Sequence, residues 1–204
     1  MTTIVLQEPA EPIALVLMFH GVGALPQTMV PLGKSIAQAH PQAAVVSVAS
    51  PHPSDLGGGY QWFSVKGISE ESRPLRVEQA MPDFIACVQT WQSRFKLAPA
   101  NTTLLGFSQG AIMALEATQQ PVRLAKRVLS LAGRFCKVPQ VQPWAAVHLV
   151  HGTQDRVIPS TFSESALEAL ISLGAKASLA SISDLGHSLE SEVIREVLVL
   201  LSED

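Results

Sequence analysis

Ser108 stands between Gly106 and Gly110 in the pentapeptide GFSQG, where the apolar run TTLLGF (102–107) gives way to a helix-type run (108–118) without an ordinary loop. Glycines two before and two after a serine let a strand and a helix approach closely, and the sharp turn holds the hydroxyl above the sheet edge. The backbone N–H of Gln109 then faces the same space. The pentapeptide also suits a plain tight turn in which Ser108 caps a helix. A serine hydroxyl is a weak nucleophile at neutral pH, so catalysis would require a general base and a third group that fixes the tautomer of the base.

Two later turns hold groups of the right types. His151-Gly152-Thr153-Gln154-Asp155-Arg156-Val157-Ile158-Pro159 directly follows the apolar run AAVHLV and offers Asp155 at a strand end, in a turn bounded by Pro159. Asp184-Leu185-Gly186-His187-Ser188 directly follows KASLASI and offers His187 ahead of the last helical run. Strand ends at one edge of a parallel sheet lie side by side, so Ser108, Asp155 and His187 can meet there. Each has a plainer reading. Asp155 could form an Asx-turn or pair with Arg156. Asp184 is the rival acid but reads better as a turn former, and His187 could cap a helix. His148 lies inside a strand run and reads as core, His151 as placed by its turn, and His20 as a strand-end residue before a glycine turn.

The elements that must position these groups alternate along the chain. Strand-type runs occur at 13–19, 43–49, 102–107, 127–132 and 145–150, with a weaker one at 176–182. They are apolar nearly throughout, as strands covered on both faces are. Helix-type runs lie at Thr28–Ala39, Leu75–Phe95, Ser108–Thr118, Ser160–Ser172 and His187–Leu201. In the second of these, Trp91 falls on the apolar face and reads as core, and Pro82 either starts the regular helix or kinks it. The alternation predicts an α/β fold with a mainly parallel central sheet and helices on both faces. The segment 50–72, SPHPSDLGGGYQWFSVKGISEES, has no clear period and reads as a long loop, either functional or disordered.

Composition narrows the function classes. With 204 residues, 47% of them hydrophobic, and no linker or repeat, the expectation is one domain spanning 1–204. The net charge of -3 comes without a Lys/Arg cluster, which argues against nucleic-acid binding. The N-terminus lacks the pattern of a secretory signal, and the apolar run Ile13 to Phe19 is far shorter than the roughly 20 residues that cross a bilayer. A cytoplasmic protein without stable membrane insertion is expected. Cys87 and Cys136 read as structural thiols. Gly57-Gly58-Gly59 lacks the residues of a phosphate-binding loop, and no Cys/His cluster suggests a metal.

The chain resembles the α/β-hydrolase superfamily, and within it the small phospholipase/carboxylesterase family that includes acyl-protein thioesterases. The likeness covers nearly the whole chain. It rests on His20-Gly21-Val22-Gly23, on Gly106-Phe107-Ser108-Gln109-Gly110, on His151-Gly152-Thr153-Gln154-Asp155 with Val157 and Pro159, and on Gly186-His187. A subgroup of small bacterial esterases also carries Gln61-Trp62-Phe63-Ser64. The resemblance implies Ser108 as nucleophile, His187 as base and Asp155 as orienting acid, with an oxyanion hole made by the Val22 and Gln109 N–H groups. It puts the 60–65 stretch near the site, where Trp62 or Phe63 could form an apolar wall for the acyl group; the stretch reads equally well as a surface loop anchored by buried aromatics. The chain departs from better-known relatives at Ala24-Leu25-Pro26-Gln27, where a more polar loop is often found. The implied activity is a serine carboxylesterase for small or medium acyl esters, with no cofactor, no metal and no large lid domain. An acyl-thioesterase or lysophospholipase would use the same residues, and a non-catalytic binding module on the same fold is the alternative of another class. A homodimer stays open.

Overall fold

A computed structural model describes residues 2–202; residues 1, 203 and 204, the ends of the expected domain, lie outside it. The elements in chain order are β1 (Ile4–Gln7), β2 (Ala14–Phe19), α1 (Val30–Ala39), β3 (Ala43–Val48), β4 (His52–Pro53), β5 (Tyr60–Gln61), α2 (Arg73–Phe95), β6 (Thr102–Phe107), α3 (Gln109–Ala117), β7 (Arg127–Leu131), β8 (Ala146–Gly152), α4 (Thr161–Ser172), β9 (Ala177–Ile182) and α5 (Ser191–Ser202). Seven strands form one sheet in the order β1-β3-β2-β6-β7-β8-β9. All neighbours are parallel except β1, which runs antiparallel to β3 at the edge.

The continuous apolar runs are explained by burial on both faces. Leu15, Leu17 and Phe19 of β2 join Leu104, Val147 and Leu149 under α2, α3 and α4, which contribute Phe84, Ile112 and Leu170. The intervening Val16 and Met18 point to the other face, with Leu105, Leu129 and Val150, under Leu32 and Ile36 of α1 and Val193 and Val197 of α5. Alternate residues of each strand therefore meet different helices, as the pleat requires.

Three details depart from the expected boundaries. Helix α5 starts at Ser191, so His187 lies wholly in the preceding loop. Helix α2 starts at Arg73 with a proline in its first turn and continues through Pro82, which starts nothing. The 50–72 segment contains the small β4–β5 hairpin, in which Gly57, Gly58 and Gly59 all take positive φ. That conformation is one only glycine adopts freely over three successive residues. Tyr60 also pairs with the 21–25 turn: its N–H reaches the Ala24 carbonyl at 2.9 Å, and its carbonyl takes the Gly23 N–H at 3.0 Å. Among the described residues no helix is long and apolar enough to cross a membrane.

Candidate active site

The C-terminal ends of β2, β6, β8 and β9 carry His20, Ser108, Asp155 and His187 to one edge of the sheet. Ser108 takes φ 53° and ψ −116°, a strained conformation for a residue with a side chain. A Cβ at Gly106 would collide with the backbone of Gly110 and Ala111, and one at Gly110 with the Phe19 carbonyl. The two glycines are thus needed for the close approach of α3 to β6 and β2. Ser108 occupies the helix N-cap position, but its side chain makes no capping bond. Its Oγ lies 2.9 Å from His187 Nε2.

The His187 ring packs against Phe107 with centroids 5.0 Å apart. Its Nδ1 lies 2.6 Å from Asp155 Oδ2. The other carboxylate oxygen, Oδ1, accepts the N–H groups of Val157 and Ile158 at 2.8 and 2.9 Å. Asp155 therefore forms its turn and meets His187 at once. Burial pushes its carboxyl up, but the His187 hydrogen bond and the Ile158 and Val157 N–H groups outweigh it and hold the group below its ordinary 3.8. Asp184 does not touch His187; it accepts a hydrogen bond from Gln154 Nε2 at 2.8 Å in a turn where its own φ is positive.

The acid and histidine turns are tied to each other. The Thr153 N–H reaches the Ile182 carbonyl and the Gln154 N–H reaches the Leu185 carbonyl, each at 2.9 Å. His151, buried beneath the acid turn, has Nε2 2.8 Å from the Ile158 carbonyl and Nδ1 2.7 Å from Ser163 Oγ. The carbonyl can only accept, so Nε2 carries a proton. This protonated Nε2 also lies 3.3 Å from Asp155 Oδ2. His148, as expected, is held within the sheet, bonded to Ser178 Oγ at 2.8 Å.

Two positions do more than the sequence indicated. His20, read as a mere strand end, is fully buried, and its Nδ1 lies 2.8 Å from the Gly21 carbonyl while its Nε2 accepts the Ser50 N–H at 3.3 Å. The Gly21 carbonyl and the Val22 N–H belong to one planar trans peptide, so fixing the first aims the second the opposite way. Gly21 itself abuts Ser108, whose Cβ would lie 3.2 Å from a Cβ placed there. The Gln109 N–H is at the start of α3, where amides have no partner within the helix. The Gln109 side chain clamps the 50–72 segment: Oε1 accepts the Trp62 N–H at 2.7 Å and Nε2 donates to the Phe63 carbonyl at 2.8 Å.

A cavity of about 470 Å³ opens beside Ser108, and Val22 and Gln109 both line it. Phe63 is part of its wall, but Trp62 is not. The Trp62 ring turns into the core between Phe19 and Phe84, with centroids 6.1 and 5.0 Å away, so of the two expected wall residues one is an anchor. Burial pushes the Cys87 thiol up to about 11 and, with the added effect of Glu116, the Cys136 thiol up to about 12, so both stay protonated. Among the described residues no group of three or more His, Cys, Asp or Glu could hold a metal ion.

A doubly covered parallel sheet with a serine on the turn between its central strand and helix defines a serine hydrolase of the α/β-hydrolase fold. Within that class the chain belongs to the phospholipase/carboxylesterase family, whose model matches residues 2–203. It is 42% identical to the esterase YpfH of Escherichia coli strain K12 over 196 residues, which are 95% of this chain and 84% of that one. Among solved structures, esterase PE8 superposes with a TM-score of 0.86 at 26% identity, over 98% of this chain and 96% of the other. The carboxylesterase of Bacillus cereus shares the fold with a TM-score of 0.81 at 18% identity, over 97% and 92% of the two chains.

Proposed function

We propose that the protein hydrolyses small or medium acyl esters through an acyl-enzyme on Ser108. The observation that carries this reading is the unbroken contact series from Ser108 Oγ to His187 Nε2 at 2.9 Å and from His187 Nδ1 to Asp155 Oδ2 at 2.6 Å. Asp155 keeps the proton on Nδ1, which leaves Nε2 free to accept. As Oγ attacks the ester carbonyl, its proton passes to His187 Nε2, and the carbonyl oxygen becomes an oxyanion held by the Val22 and Gln109 N–H groups. Collapse of the tetrahedral intermediate expels the alcohol, which takes the proton from His187. Water then attacks the acyl-serine, gives its proton to His187, and the second collapse frees the acid and restores the Ser108 hydroxyl. The His187 imidazolium formed in each step is stabilised by a carboxyl held below its ordinary 3.8, and so ionised at neutral pH. A cavity of about 470 Å³ suits a short or medium chain and falls within the usual range for small-molecule sites.

The test is hydrolysis of p-nitrophenyl esters of increasing chain length beside matched acyl-thioesters. Ser108→Ala is expected to lose about 10⁶-fold in kcat and Asp155→Asn about 10⁴-fold. Asp184→Asn should stay within about threefold of the parent, since substitutions away from the reacting groups have small effects. Equal residual rates for the parent and Ser108→Ala on every substrate would overturn the reading.

A further inference from the structure

The cavity beside Ser108 is not apolar throughout. Phe63, Ile112 and Phe162 line it, and so do Glu70, Arg73 and Arg134. Arg134 has a side chain only 9% exposed, with its guanidinium carbon 3.6 Å from the centre of the Phe162 ring. Its Nε donates to the Phe135 carbonyl at 3.1 Å, and one terminal nitrogen reaches Glu70 Oε2 at 2.6 Å. Arg73 gives one terminal nitrogen to the other oxygen, Glu70 Oε1, at 3.0 Å, while its Nε is buried without a hydrogen-bond partner.

One carboxylate thus serves two guanidinium groups, and that carboxylate is 58% exposed, so water screens it. The nearby Glu116 turns its Oε1 to the Cys136 N–H at 2.6 Å and has Lys137 beside it, so it does not balance the arginines. The cavity therefore carries an excess positive charge. A wholly aliphatic substrate would strip water from these groups and return no hydrogen bond, at a cost that grows with burial. A carboxylate would complete them, since guanidinium donors suit its two oxygens.

We infer that this esterase is built for esters that carry a free carboxylate, received by Arg73 and Arg134 in the catalytic cavity. The inference rests on the esterase reading above. The carboxylate can sit on the acyl or on the alcohol part, and two substrate pairs separate these. The p-nitrophenyl monoester of adipic acid is compared with p-nitrophenyl hexanoate, and 3-(butanoyloxy)benzoate with 3-methylphenyl butanoate.

At low salt the charged member of at least one pair should exceed its neutral partner by about tenfold or more in kcat/KM, as hydrogen bonds between charged groups provide. The pair that responds identifies the side. The preference should shrink as salt is added, collapse towards unity in Arg73→Gln and Arg134→Gln, and largely persist in Arg73→Lys. Because the readout is a ratio within one preparation, lost folding does not imitate it, and the more exposed Arg73 carries the test if Arg134→Gln does not fold. Neutral esters preferred in both pairs, or a ratio unchanged in both glutamine variants, would overturn the inference while leaving the esterase intact. Absence of any Ser108-dependent hydrolysis would instead overturn both.

Discussion

Replacing Gln109 by methionine separates the work of its side chain from that of its backbone N–H. The amide holds the Trp62 N–H at 2.7 Å and the Phe63 carbonyl at 2.8 Å, and all three residues are buried. Methionine keeps the length and bulk but pairs with neither group. Each buried backbone group left unpaired costs about 1–3 kcal/mol, so the loss is about 2–6 kcal/mol. For a chain of this size each kcal/mol moves Tm by about 2–4 °C, which gives a fall of roughly 4–24 °C in a thermal melt. The N–H of residue 109 survives the change, so kcat on p-nitrophenyl butanoate should hold within about threefold. KM should rise on the order of tenfold, because the Phe63 wall loses its tether and about 1.4 kcal/mol of binding. Gln109→Glu keeps an acceptor for Trp62 but sets an oxygen against the Phe63 carbonyl, so it should be no better than methionine. A Tm within a degree of the parent, or a hundredfold loss of kcat at constant KM, would refute the clamp.

Two other substitutions probe buried ionisable groups. His20→Leu releases the Gly21–Val22 peptide and should lower kcat, with little change in KM, by up to the roughly 10²–10³ that one lost oxyanion donor costs. Burial pushes the His20 imidazole below its ordinary 6.5, against a smaller opposing effect of the Gly21 carbonyl. As pH falls below 6.5 the unfolded chain takes up a proton that the folded ring refuses, so parent stability declines there and the gap to His20→Leu in denaturant melts should narrow. Glu116 is raised above its ordinary 4.5, burial outweighing its bond from the Cys136 N–H. The folded state is then penalised as pH rises past 4.5, and Glu116→Gln, which keeps the acceptor oxygen, should melt higher than the parent at pH 7–8 and not below about pH 4. A lower Tm for Glu116→Gln at pH 8 would show that the charge is compensated.

Why some of this was legible and some not follows from the range of the interactions. Strands β2, β3, β6, β7 and β8 announce themselves because helices cover both sheet faces, which makes each strand a largely apolar run, whereas the edge strand β9, with no fully buried residue, shows more weakly. The edge strand β1 has four half-buried residues, and β4 and β5 have two residues each, too few for any period to show. Ser108, Asp155 and His187 could be singled out because each follows a strand run directly and sits in a turn with its own local signature, so their meeting needs only the parallel order of the sheet. Trp62 and Phe63 could not be told apart, because neighbouring side chains diverge and only packing against Phe19 and Phe84 decides which one turns inward. The arginine pair was hidden for the same reason. Arg73 opens a helix and Arg134 ends an apolar stretch in a way that any surface arginine could, and only Glu70 and Phe162, distant from Arg134 in sequence, bring them to one cavity. The three groups of the proposed triad are thus encoded by local turns behind strand runs, while the arginines proposed to receive a carboxylate meet only through tertiary contact.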